Sequence, residues 1–129
     1  MREPVWVDRL VVELVHADQL REHGGLAGIR DENALEAALA RPQQKWHYEK
    51  SDMATLAAAY AYGLCQGHPF RDGNKRVAFV TMMVFLGLNR WDLQAQEQDV
   101  VALMLNLASG KLNERELAAW VQKRLRRHR

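Results

Sequence analysis

The sequence predicts an all-α domain, a compact bundle of about six helices around one central apolar helix. Three features carry that expectation. Apolar residues recur at helical spacing along most of the chain, and no segment alternates with period two. Capping and stop residues divide the chain into short helical lengths. The twelve residues 77–88, VAFVTMMVFLGL, are uncharged and apolar on every face, as a helix surrounded by others must be.

Each element follows from its own signals. Val7, Leu10, Val11 and Leu14 stand at i, i+3, i+4 and i+7, giving a first helix with that stripe inward and a stop in the glycines of HGGLAG. Asp31 is the N-cap of a second helix, ENALEAALA, which Pro42 halts. Residues 43–51, QQKWHYEKS, lack a helical period and read as a connecting segment with exposed aromatics. Ser51 or Asp52 caps a third helix running to about Gln66, whose alanines let neighbours approach closely. The fourth begins near Asn74. Val100, Leu103, Met104 and Leu107 mark the fifth; Asn113 and Glu116 open the sixth with a capping box, and Leu117, Val121 and Leu125 turn inward.

Composition bounds the class. At 129 residues and 14.8 kDa, with 48% apolar and 26% charged residues, the chain is expected to be one folded domain over residues 1–129. Its single cysteine, Cys65, excludes a disulfide framework and a cysteine-based zinc site. MREPVWVDRL is no signal region, and residues 77–89 fall short of the roughly 20 that span a bilayer. The expectation is a cytoplasmic protein with no membrane partner. The net charge of +2 is uneven: residues 123–129 hold five of the 18 Lys and Arg, leaving a body with thirteen basic against sixteen acidic residues. A net acidic body disfavours specific nucleic-acid binding.

The chemistry concentrates in residues 67–76, GHPFRDGNKR. Pro69 stops the third helix, the chain turns through His68 to Gly73, and a new helix begins at Asn74. A helix N-terminus offers unpaired N–H groups, a glycine before it lets an anion approach, and Lys75 and Arg76 add positive charge. Asp72 can give a magnesium ion its carboxylate, and His68 can accept a proton near neutral pH. Together these describe transfer of a phosphate-containing group from a nucleotide. Phe70 would peg the loop into the core. Each residue also has a purely structural reading, as a turn or a solvated first helical turn. Lys75 and Arg76, however, oppose the dipole preference for acids at that end, which the structural reading leaves unexplained.

The run HPFRDGNKR resembles the signature of the Fic/Doc family, H-P-F-x-[D/E]-G-N-G-R in its Fic branch. His68, Pro69, Phe70, Asp72, Gly73, Asn74 and Arg76 all fit. The likeness extends from roughly Asp18 to Trp120, and REHGGLAGIRDENALEAALARPQ is similar to the early region of death-on-curing (Doc) toxins, as is the short length. The resemblance implies a helical bundle with the motif loop leading into a central helix. Lys75 stands where the Fic branch has its second glycine, which is Doc-like and implies transfer of the γ-phosphate of ATP to a protein Ser or Thr. On that pattern His68 is the base, Asp72 holds Mg2+, and Gly73, Asn74, Lys75 and Arg76 hold the phosphates, with Arg76 counted among the catalytic groups and Phe70 structural. Gly73 is retained as in adenylyltransferases, which keeps AMP transfer as the alternative.

Doc-type toxins are typically paired with a small antitoxin whose C-terminal helix lies in a groove of the toxin. No internal inhibitory pattern [S/T]-x-x-x-E-[G/N] is present, so inhibition is expected from a separate chain; Trp46, Tyr48 and Trp91 are candidate contacts. By position, Lys45, Trp46, His47 and Tyr48 correspond to the flap that lines target peptides. The resemblance implies a translation-machinery target, an elongation factor. A non-catalytic binding module is the third reading, and an intact His68 argues against it.

Overall fold

The computed structural model describes residues 2–128. Among these, six helices run in order: α1 (Arg9–His23), α2 (Glu32–Glu49), α3 (Met53–Gly67), α4 (Asn74–Leu88), α5 (Glu97–Ala108) and α6 (Glu114–Arg124). Two three-residue strands, β1 (Trp91–Leu93) and β2 (Leu125–Arg127), pair antiparallel with Trp91 opposite Arg127. The all-α class and the helix count are as expected. Buried residues from all six helices form one core cluster.

Helix α3 packs against α2, α4 and α6, and its composition explains how. Ala54, Ala57, Ala58, Ala59 and Ala61 are all buried, so three neighbours can close on it. Gly63 sits so near α2 that a β-carbon there would lie 3.2 Å from the Ala38 Cα. Nine of its fifteen residues are buried against seven of fifteen in α4, so α4 shares the centre with the more enclosed α3. Tyr60, fully buried on α3, accepts a hydrogen bond from the Val7 N–H at 3.0 Å and ties the N-terminal segment to the core.

Four expectations are corrected. Leu10 and Leu14 are 66% and 60% exposed; Val7 precedes α1, and the helix buries Val12 and His16 instead. The stripe read from the sequence was therefore rotated, because the chain reaches Val7 in extended form and the helix starts two residues later. Pro42 lies inside α2 rather than ending it. It forfeits one backbone bond, and burial of Leu39, Pro42 and Trp46 on one face carries the helix through. Residues 43–49 are thus its last turns, ending at Lys50 in a left-handed cap (φ 48°). Finally, Leu125 belongs to β2, opposite Leu93, and not to α6.

Candidate active site

The loop between α3 and α4 is built by contacts from three other segments. Phe70 is 2% exposed, and its ring stacks on the His16 imidazole of α1 at 4.0 Å between centroids. Behind the loop, residues 28–31 run antiparallel to it: the Arg30 and Asp31 N–H groups donate to the Pro69 carbonyl, and the Arg71 N–H donates to the Gly28 carbonyl. Asp31 then caps α2 by accepting from the Ala34 N–H at 3.0 Å. The loop's shape is therefore fixed by residues far from it in sequence.

His68 ends α3 as its C-cap in the left-handed region, φ 47° and ψ 52°, and is exposed. Residues other than glycine rarely sit there, and they persist where the surroundings impose it. Asp72, at the other end, is exposed and doubly held. One carboxylate oxygen accepts from the Gly73 N–H at 2.9 Å, the other from the Leu26 N–H at 3.2 Å. Its carbonyl accepts from His16 Nε2 at 2.9 Å, which places the ring hydrogen on that nitrogen. Gly25 makes room: a β-carbon there would stand 2.7 Å from the Asp72 carboxylate.

Gly73, at φ 78°, is the N-cap of α4 and gives no side-chain cap. No acid occupies the first turn, so the amides of Asn74, Lys75 and Arg76 open the helix with two exposed cations beside them and the Asp72 carboxylate on the Gly73 N–H just before. Such an opening is chemically suited to an anion. Asn74 takes a different part from the phosphate ligand expected of its side chain. It is buried, its Oδ1 accepts from the Phe70 N–H at 3.0 Å, and its Nδ2 donates to the Phe70 carbonyl at 2.9 Å. The amide thus staples the loop through Oδ1 and one Nδ2 hydrogen, and the Asn74 backbone N–H belongs to the open first turn.

For magnesium, Asp72 fits in part. Each carboxylate oxygen carries one N–H bond and keeps lone pairs for a cation, but among the described residues no group of three or more His, Cys, Asp or Glu gathers to hold a metal. A magnesium ion here would need oxygens from the nucleotide's phosphates to complete its shell, as that ion commonly does.

The expected flap is divided. Trp46 is 4% exposed and belongs to the core, with Lys50 Nζ over its ring, while Tyr48 is 86% exposed. Lys45 turns instead towards Glu114 of α6, which also binds Arg41. Only His47 and Tyr48 therefore stand free at the end of α2. Trp91 is half-buried in β1 beneath the Arg127 guanidinium. An open apolar groove of about 410 Å³ lies elsewhere, between α1, α4 and α5, lined by exposed Val101 and Leu105, half-buried Phe79 and buried Met104. Lys75 and Arg76 form one end of it.

Sequence reasoning missed His16, Gly25 and Arg30. No local pattern marks them, since their partners lie on the motif loop. A histidine on the helix face that carries Val12 was the one available signal.

Comparison with known proteins gives the same region. A family model described as Fic/DOC family matches residues 6–86, well over half of the chain. The chain is similar to Protein kinase doc of Escherichia phage P1, 29% identical over 105 residues that cover 81% of this chain and 82% of that protein. It is also similar to Toxin Doc of Mycolicibacterium smegmatis, 37% identical over 76 residues, 56% of this chain and 57% of that one. No helix among the described residues is long and apolar enough to cross a membrane.

Proposed function

The chain belongs to the Fic/DOC family, and from that membership and the geometry of the His68 loop we propose that it is the toxin of a toxin–antitoxin pair, a single-domain kinase that moves the γ-phosphate of ATP to a Ser or Thr hydroxyl of a translation-machinery protein. One observation carries the reading. A single six-residue turn, residues 68–73, joins an exposed imidazole to a helix N-terminus without a side-chain cap, flanked by two cations. A similar protein bears the name Protein kinase doc, and Lys75 stands where adenylyl-transferring relatives need a small residue.

In this reading His68 accepts the proton of the target hydroxyl as its oxygen attacks the γ-phosphorus. The bond from that phosphorus to the bridging oxygen breaks, and ADP leaves. Lys75, Arg76 and the first amides of α4 offset the charge on the phosphates. Asp72 would hold the magnesium ion that accompanies ATP, whose charge lowers the repulsion between nucleotide and nucleophile. Gly73 needs no adenylylation account, because φ 78° already calls for glycine.

The groove between α1, α4 and α5 suits an antitoxin helix with apolar anchors at i, i+3, i+4 and i+7. A helix laid there would end against Lys75 and Arg76 and compete with the phosphates. Of the contacts expected from the sequence, Trp46 is buried, and we favour this groove over Tyr48 and Trp91.

The test uses the purified chain and His68→Ala in bacterial lysate with magnesium and ATP labelled at the γ- or the α-phosphate. Transfer of the γ-label by the parent alone supports the kinase and identifies its target. Transfer of the α-label would convert the reading to adenylylation, and transfer of neither would leave a binding module.

A further inference from the structure

We propose that Arg30, outside the motif, is the positioning residue that holds His68 in its working backbone conformation. The left-handed cap at His68 is where the support is needed. In α1, α2, α4 and α5 the C-cap N–H returns a hydrogen bond to a carbonyl of the last turn. Helix α6 runs on into β2 without such a bond, and helix α3 has none either, although its cap carries a full side chain in a region that glycine usually occupies.

Arg30 supplies the closure from outside the helix. Its Nε donates to the His68 carbonyl at 2.7 Å and its Nη2 to the Gly67 carbonyl at 3.0 Å. The guanidinium thus covers two C-terminal carbonyls of α3, where the helix dipole favours a cation. Its own backbone is fixed to the next residue of the same turn, with the Arg30 N–H on the Pro69 carbonyl at 2.7 Å. Asp31, its neighbour, caps α2, so the fork is mounted on a rigid helix start. Three consecutive carbonyls, of Gly67, His68 and Pro69, are therefore gripped by residues 30 and 31.

A planar fork is required. Lysine is a point charge that can satisfy one carbonyl well but not span two in a fixed geometry. Without the fork the turn relaxes from φ 47° towards commoner backbone regions, and the imidazole leaves its place relative to Asp72 and the α4 amides.

The activity arm of the test rests on the kinase reading; a second arm does not. Full-length parent, Arg30→Ala, Arg30→Lys and the surface control Arg21→Ala are compared in γ-label transfer, and by NMR of the His68 amide and imidazole without nucleotide. In Arg30→Ala, kcat should fall roughly 10- to 100-fold, the scale of a displacement near 1 Å, with KM for ATP within about twofold. Arg30→Lys should fall between, and it keeps the comparison available if the alanine variant does not fold. The His68 resonances should move in both variants and stay in the control. An unchanged kcat, or a loss carried mainly by KM, would overturn the proposal. If the parent transfers no label, the kinase reading fails, and the His68 resonances still decide: movement supports the role of Arg30, and unmoved resonances overturn it.

Discussion

Replacing Asn74 by alanine separates a loop staple from a phosphate ligand. Its side chain exchanges two hydrogen bonds with the backbone of Phe70, at 3.0 and 2.9 Å, and all three groups are buried. Truncation leaves the Phe70 N–H and carbonyl without partners where water does not reach. Each orphaned group costs about 1–3 kcal/mol, so a loss of about 2–4 kcal/mol is expected after partial relaxation. With an unfolding entropy of roughly 2.1 cal/mol/K per residue, that corresponds to a Tm lower by about 7–15 °C for a chain of this size. Thermal unfolding followed by circular dichroism measures it, and urea titration checks that the m-value is unchanged. Asn74→Asp should be nearly as damaging, since it keeps the acceptor but faces the Phe70 carbonyl with negative charge. A Tm within about 2 °C of the parent, together with a raised KM for ATP, would refute the staple and return the side chain to the phosphates.

Gly25→Ala, although far from the motif in sequence, should reduce γ-label transfer by roughly 10- to 100-fold, because the new β-carbon, 2.7 Å from the Asp72 carboxylate, must displace it; transfer at the parent's rate would show that Asp72 can move freely. Tyr60→Phe should cost about 1–2 kcal/mol at neutral pH by orphaning the Val7 N–H, read from the urea midpoint. Burial pushes the Tyr60 hydroxyl up from 10.0 to about 12, so the fold holds that proton more tightly than the unfolded chain does. Its contribution is complete below pH 10 and disappears as pH rises through about 12; the phenylalanine variant should lose that part of the alkaline slope. On α1, Val12→Ala should cost about 2 kcal/mol and Leu14→Ser less than about 0.5, also by urea titration. The reverse order would restore the register read from the sequence.

What the sequence made legible was local. Asp31, Asp52 and the Asn113–Glu116 capping box sit where their side chains were expected to accept helix N–H groups, because capping is settled within three or four residues. The motif loop and the burial of Phe70 were likewise readable. Failures occurred wherever distant packing outvoted a local rule. Pro42 reads as a stop, yet its ring and Trp46 share a buried face on α2. The strands are three residues each and exist because Trp91 and Arg127 meet across the fold, which no periodicity can announce. His16 and Arg30 were invisible for the same reason. Their meaning lies in carbonyls at positions 72, 67 and 68.

The anchoring of α1 has a consequence for how the proposed kinase would be kept quiet. This helix buries only Val12 and His16, and it turns Leu10 and Leu14 to solvent. Val11 and Val15 pack partly against the core and Arg9 pairs with Glu32 and Glu36, but an element with few fully buried residues can detach at a lower free energy than the whole molecule unfolds. Detachment would withdraw His16 from the Asp72 carbonyl and from the face of Phe70, while α3, α4 and α6 stayed packed. Silencing and melting become separate events in the same chain.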